Sequence, residues 1–182
     1  MATTSHAIAA LNALPEASFR STIHPCCSST AFVDAVARER PFTDEAHLFR
    51  ASASAWNGLP RSAWLEAFAA HPRIGGLERR AAQAKFALWS SREQAAVTDA
   101  AQDVRAELAE LNESYFAKHA FVFLICATGK SAEEMRDQIK VRLCNDTDRE
   151  VAVAAAEQEK ITQLRLQKVL ADLCGEREGT QR

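Results

Sequence analysis

The sequence predicts an all-α fold, a single-domain bundle of about eight helices. Apolar residues recur at the 3.6-residue spacing of a helix along almost the whole chain. Only 6 glycines and 5 prolines are present among 182 residues, too few to punctuate many short strands. A hydrophobic fraction of 47% at this length suits one domain with its own core. We therefore expect a helical domain over residues 1–174, followed by a polar tail over residues 175–182.

The predicted helices before the middle of the chain follow from start and stop signals. Asp44 can open a helix, and Ser62 can open a short one that Pro72 ends. The apolar faces of these two helices carry Phe49, Ala53 and Trp56 in the first, and Trp64, Leu65 and Phe68 in the second.

Three further elements are predicted after the middle of the chain. A long helix runs over residues 91 to 118, and a last one over residues 147 to 173. Between them, Ser131 and Glu134 form a capping box that opens a helix with Met135, Ile139 and Leu143 on one face. The apolar segment FVFLICA at residues 121–127 is compatible with a strand, a buried helical turn or an extended chain, because periodicity does not separate these for so short a run.

Charge and composition exclude several classes of function. The formal net charge of −2 combines 22 basic and 24 acidic residues mixed along the chain, so no basic field exists to bind nucleic acid or anionic lipid. No apolar run has the length of a membrane span, and the amino-terminal residues lack the pattern of a signal peptide. The five cysteines form no C-x-x-C pair and are expected to be reduced. We expect a soluble cytoplasmic protein that binds a small molecule.

His71 is the first candidate for chemistry. It follows Phe68 by three residues and Trp64 by seven, on the apolar face of its helix, so it is expected to point inward. Pro72 fixes the backbone just after it, and the glycines at 75 and 76 allow a close approach of the main chain. A structural alternative is a partly buried histidine that closes a helix carboxyl terminus, where a positive charge is favoured.

Glu93 and Arg165 are the other two candidates. Glu93 heads the core-facing stripe of its helix, but with Ser90 it also forms a capping box, which needs no catalysis to explain it. Arg165 lies within the apolar arc of the last helix, four residues from both Ile161 and Val169. An inward arginine awaits an anion or a polarised carbonyl, whereas the alternative is a surface arginine that buries only its stem. The histidines show no ligand spacing, so no metal site is expected.

The ordered sequence pieces resemble those of the OHCU decarboxylase family, where OHCU is 2-oxo-4-hydroxy-4-carboxy-5-ureidoimidazoline. The similarity extends from about residue 8 to residue 173. In chain order the pieces are A-L-N-A-L, A-H-P-R-I-G-G, S-x-x-E-Q at residues 90–94, L-N-E-S-Y, F-V-F-L-I-C-A-T-G-K-S, R-L-C-N and E-x-E-K-I-x-x-L-R-L.

The resemblance implies an all-α homodimer without a cofactor, which decarboxylates OHCU to (S)-allantoin in urate degradation. It also implies residue roles. His71 and Glu93 are the catalytic pair, and the substrate-binding residues are Pro72, Ser90, Gln94, Phe121, Phe123, Ile125 and Arg165. One departure concerns the loop that faces the substrate: the family commonly has Phe-Gly-Phe-Pro where this chain has His119-Ala120-Phe121-Val122.

Two other classes of function compete with this interpretation. A decarboxylase or hydrolase of a related ureido heterocycle would keep the same histidine, glutamate and arginine, and a substrate panel would distinguish it. A non-catalytic helical interaction protein predicts instead that no cavity joins His71 to Glu93. The OHCU decarboxylase hypothesis predicts that His71, Glu93 and Arg165 meet at one cavity.

Overall fold

The structure is a computed structural model that describes residues 2–72 and 102–178. The described residues form eight α-helices and no strand. The helices are α1 (Ala2–Ala13), α2 (Glu16–Cys27), α3 (Thr30–Arg38), α4 (Glu45–Asn57), α5 (Arg61–Ala69), α6 (Gln102–His119), α7 (Ala132–Arg142) and α8 (Thr147–Glu178). The predicted all-α fold class is confirmed over these residues.

Two of the predicted helix starts are confirmed in atomic detail. The side chain of Asp44 accepts a hydrogen bond from the backbone N–H of His47 and caps α4. Ser131 and Glu134 form the reciprocal pair of a capping box at the start of α7. Each cap satisfies amide protons that the first helical turn leaves without a partner.

Two other predicted boundaries differ from the structure. Helix α5 begins at Arg61 rather than Ser62, because the carbonyl of Pro60 already accepts hydrogen bonds from the amides of Ala63 and Trp64. Helix α8 begins at Thr147 as expected but continues to Glu178. The helical domain over residues 1–174 and the tail over residues 175–182 stay a prediction.

The segment at residues 121–127 is neither helix nor strand. It runs from the end of α6 towards α7 as irregular chain, and five of its seven side chains are buried. A helical turn and a strand are thereby excluded for FVFLICA, which leaves the alternative of extended chain. Residues 121–127 form the extended segment. Since no helical or sheet ladder satisfies its backbone groups, other parts of the molecule must do so.

The chain forms two compact units. One contains residues 1–64 with residues 159–182, and its aromatic core includes the stacked rings of Phe19 and Phe42 and the edge-on pair of Phe32 and Trp56. The other contains residues 65–158 and is built around the rings of Phe68, Tyr115, Phe121 and Phe123. Helix α8 contributes residues 147–158 to the second unit and its remaining residues to the first.

Two expectations about the class of protein can be compared with the structure. No helix in residues 2–72 and 102–178 is both long and apolar enough to cross a membrane. The five cysteines all lie within these ranges, and no disulfide joins any two of them. The reduced state expected from their spacing stays a prediction.

Candidate active site

His71 lies two residues beyond the end of α5, in a bend rather than in the helix. The helix ends there because the residue before a proline is sterically disfavoured in helical conformation, and Pro72 follows. The imidazole is half-buried, and its Nε2 atom lies 2.7 Å from Oε1 of Gln158. The expected inward orientation and the structural alternative of a histidine near a helix end both agree with this position.

Gln158 is the residue that the sequence analysis missed at this site. It lies on α8 and is fully buried, and it joins His71 across 87 residues of sequence. A signal for it exists in the sequence, since polar residues interrupt the buried stripe of α8 at positions 150, 158, 162 and 165. Of these four residues, the sequence analysis selected only Arg165.

Glu93, Ser90 and Gln94 lie outside the residues that the structure describes. The choice between a catalytic Glu93 and a capping Glu93 therefore stays a prediction. So does the predicted meeting of His71, Glu93 and Arg165 at one cavity.

Arg165 is fully buried on α8, which excludes the alternative of a surface arginine. Its Nη1 atom donates to the carbonyl of Pro25 at 3.4 Å, and the hydroxyl of Thr162 donates to the neighbouring carbonyl of Cys26 at 3.4 Å. Both carbonyls belong to the last turn of α2, where helical hydrogen bonding leaves acceptors without a partner. Burial raises the pKa of the Cys27 thiol in the same turn, so this thiol stays protonated.

The three candidate residues of the extended segment, Phe121, Phe123 and Ile125, are all buried. The rings of Phe121 and Phe123 both pack edge-on against Tyr115, with centroids 5.7 and 5.3 Å away. Phe121 also lies 5.3 Å from the ring of Phe68. These contacts assign the two phenylalanines to the core of their unit, and contact with a substrate stays a prediction for them and for half-buried Pro72.

Two charged side chains hold the backbone of this extended segment. The guanidinium of Arg142 donates to the carbonyl of Leu124 at 2.5 Å, and Glu157 accepts from the amide of Cys126 at 2.7 Å. Charge-assisted bonds of this kind are stronger than neutral ones. The segment is therefore held by α7 at Leu124 and by α8 two residues further on, at Cys126.

Arg142 belongs to a buried polar network centred on Glu150. The carboxylate of Glu150 accepts from the Tyr115 hydroxyl at 2.5 Å, from Nε of Arg142 at 2.6 Å and from Nδ2 of Asn145 at 2.8 Å. The guanidinium also lies 4.6 Å from the ring centroid of Phe123. Burial, followed by the bond to Glu150, raises the pKa of Tyr115 far above its usual value. This network fixes three elements of one unit to each other.

The departure at positions 119 and 120 has a structural consequence. Ala120 adopts a φ of +62°, the left-handed conformation that glycine reaches without a Cβ clash. His119 is buried beside Tyr115, and its Nδ1 atom lies 3.2 Å from the hydroxyl of Thr147. Burial is the main cause that lowers the pKa of His119. Among the described residues, its Nε2 atom has no hydrogen-bond partner.

Within residues 2–72 and 102–178, no three acidic, cysteine or histidine side chains lie close enough together to hold a metal ion.

Comparison with known proteins gives the family. A family model described as OHCU decarboxylase matches residues 12–167. The uric acid degradation bifunctional protein TTL of Arabidopsis thaliana is 36% identical over 148 residues, which are 81% of this chain and 46% of that protein. This chain thus spans less than half the length of that curated relative.

Two solved structures are similar in fold. The crystal structure of an OHCU decarboxylase in the presence of (S)-allantoin has a TM-score of 0.70 and 33% identity, covering 81% of this chain and 96% of that one. The structure of an (S)-allantoin synthase has a TM-score of 0.68 over 89% of this chain and 53% of that one. Its 15% identity indicates a shared fold alone. The match over residues 12–167, supported by these relatives, shows that the chain belongs to the OHCU decarboxylase family.

Proposed function

We propose that this chain decarboxylates OHCU to (S)-allantoin in urate degradation. The observation that carries the proposal is the family match, because residues 12–167 include His71, Glu93 and Arg165. The OHCU decarboxylase solved in the presence of (S)-allantoin supports it further, since the similarity covers 96% of that chain. The Arabidopsis uric acid degradation protein is bifunctional and more than twice as long as the matched part, so its similarity supports a role in uric acid degradation rather than one particular activity.

Within this proposal, His71 and Glu93 are the catalytic pair. The substrate-binding residues are Pro72, Ser90, Gln94, Phe121, Phe123, Ile125 and Arg165. Two observations support these roles: the imidazole of His71 is held by a buried partner, and Arg165 places a guanidinium in a buried environment. A buried guanidinium suits a substrate that carries a carboxylate and a ureido carbonyl.

The reaction breaks one C–C bond and leaves its electron pair on the substrate ring. The conjugated imidazoline of OHCU accepts that pair itself, so the proposed reaction needs no cofactor. The protein positions the ring, stabilises the developing charge with donors such as Arg165, and supplies a proton. His71 carries that proton, because imidazole titrates nearest to neutral pH. We expect activity to survive exhaustive chelation and dialysis. A loss of activity that a divalent metal restores would contradict the proposal that the reaction needs no cofactor.

A homodimer and a cytoplasmic location also belong to the proposal. The family resemblance supports the homodimer. The absence of disulfides among the five cysteines fits a reducing compartment. Light scattering coupled to size exclusion would measure the mass, and a monomer at micromolar concentration would contradict the dimer.

The decisive experiment generates OHCU in the cuvette from urate and follows the chiral signal of (S)-allantoin. The full chain should accelerate appearance of the signal, while His71→Asn should lower the rate by about 100-fold or more, the scale of removing one acid–base group. His47→Asn is the matched control, because His47 lies on α4 and accepts from the amide of Thr43 instead. Equal rates with and without the wild-type chain would refute the proposed function.

A further inference from the structure

The contact between His71 and Gln158 indicates which ring nitrogen of His71 carries a proton. An amide oxygen carries lone pairs and no proton, so it only accepts hydrogen bonds. Oε1 of Gln158 lies 2.7 Å from Nε2 of His71, which is the distance of a direct bond. The ring nitrogen that faces this oxygen therefore carries a proton.

We infer that Gln158 is a positioning residue that keeps His71 protonated at Nε2. His71 then exchanges its catalytic proton at Nδ1. The inference rests on the proposed function for its catalytic part. In the neutral ring, Nδ1 holds a lone pair and takes up a proton; in the imidazolium, both nitrogens are donors and Nε2 still binds Gln158. The proton on Nδ1, which solvent replaces in each cycle, passes to the substrate ring that kept the electron pair of the lost CO₂.

The position of Gln158 makes it an effective support. It is fully buried, and its backbone lies inside α8, so its side chain is held by a rigid element rather than a loop. Its neighbour Glu157 accepts a hydrogen bond from the amide of Cys126 and thereby holds the extended segment. Adjacent residues of one helical turn thus hold both His71 and the predicted substrate-facing chain.

The neutral amide also suits a ring that must both gain and lose a proton. A carboxylate at position 158 would accept the same hydrogen bond but would favour the imidazolium by its negative charge. An amide fixes which nitrogen is protonated without adding charge beside the ring. This is the function of an orienting partner in acid–base sites generally.

The test uses the full chain labelled with ¹⁵N-histidine, whose NMR shifts distinguish protonated from unprotonated ring nitrogens. His71→Asn identifies the His71 signals by their loss. Gln158→Met removes the acceptor at similar volume, and Gln158→Glu keeps an acceptor. Gln163→Met is the control, since Gln163 on the same helix donates to the carbonyl of Phe49 instead.

We expect neutral wild-type His71 to be protonated at Nε2, and Gln158→Met to give a mixture of tautomers. The kcat of Gln158→Met should fall by about 10- to 100-fold with little change in KM, as for loss of a supporting partner. Gln158→Glu should restore protonation at Nε2, and Gln163→Met should leave the His71 signals unchanged.

Two results would overturn the inference: wild-type His71 protonated at Nδ1 alone, or an unchanged tautomer in Gln158→Met. If Gln158→Met does not fold, the wild-type and Gln158→Glu spectra still show whether neutral His71 is protonated at Nε2. The spectra need no substrate, so an inactive wild-type chain would refute the proposed function without touching the assignment of the tautomer. An active wild-type chain with full kcat in Gln158→Met would refute the positioning role of Gln158 and leave the proposed function intact.

Discussion

The two parts of helix α8 use hydrogen bonds in opposite directions. In residues 147–158, the oxygens of Glu150, Glu157 and Gln158 accept from side chains and from a loop amide. In the remaining residues, Thr162, Gln163 and Arg165 donate to backbone carbonyls of α2 and α4. One helix is thus an acceptor surface in one unit and a donor surface in the other.

The difference follows from what each part packs against. The first part contacts irregular chain and the donors of His71, Tyr115 and Arg142, all of which need acceptors. The second part contacts helices. Thr162 and Arg165 donate to carbonyls that the last turn of α2 leaves without a helical partner, and Gln163 donates to the carbonyl of Phe49 within α4. The polar side chains on α8 therefore match the groups that they face: acceptors face N–H and O–H donors in the first part, and donors face backbone carbonyls in the second.

The largest effect is expected at the centre of the acceptor part. Glu150→Gln removes the charge that balances buried Arg142 and should lower the free energy of unfolding by about 3–5 kcal/mol, as for a broken buried pair. Asp34→Asn, which breaks the exposed pair of Arg20 and Asp34, should have a much smaller effect. Denaturant titration measures both, and equal losses would show that Glu150 is not the centre of its network.

The donor part provides the next test, at Arg165. Arg165→Met should reduce turnover by about 100-fold, the scale of losing one preorganised electrostatic group. The reason is that the proposed function assigns the guanidinium to the substrate as well as to the carbonyl of Pro25. A steady-state rate on OHCU measures this change. If Arg165 only caps α2, the variant will lose stability and keep its turnover.

Thr162→Val isolates capping from charge in the same region. Valine has nearly the shape of threonine but cannot donate to the carbonyl of Cys26. Thermal unfolding should report a loss of about 1 kcal/mol, the usual value of one hydrogen bond. Turnover should stay close to wild type. A fall in turnover as large as that of Arg165→Met would contradict the assignment of Thr162 to capping alone and of Arg165 to the substrate as well.

The smallest effect concerns His119, which packs beside the first residue of α8. Because burial lowers its folded pKa below the ordinary value of 6.5, the unfolded chain binds a proton there before the folded chain does. The stability from His119 is present above pH 6.5 and is lost as the pH falls below it. His119→Phe, which removes the titrating imidazole and keeps an aromatic ring, should flatten the fall in melting temperature between pH 7.5 and 5. Parallel profiles for both proteins would contradict the lowered pKa.

Local patterns in the sequence predicted local structure well. The caps at Asp44 and Ser131 and the inward position of Arg165 follow from the spacing of residues within one or two helical turns. Periodicity identifies which face of a helix is buried. It does not identify the partner on the other side, and for this reason the contact of Gln158 with His71 was missed.

The network around Glu150 illustrates the same limit. Tyr115 and Arg142 both occur in sequence pieces quoted for the family resemblance, yet no pattern within those pieces assigns them a role. Their common partner lies 35 residues beyond Tyr115 and 8 beyond Arg142. The extended segment at residues 121–127 was undecided for a related reason, since distant side chains satisfy its backbone. The roles of Ser90, Glu93 and Gln94 stay predictions.

The division of α8 between two units has a consequence for folding during synthesis. The unit of residues 65–158 is one uninterrupted stretch, so all of its parts have left the ribosome once residue 158 has emerged. The other unit combines residues 1–64, which are made before that stretch, with residues 159–182, which are made after it. Because chains emerge at about 5–20 residues per second, residues 1–64 wait several seconds with part of their apolar surface uncovered. We expect this amino-terminal region, rather than the later unit, to be the part of the nascent chain that chaperones bind.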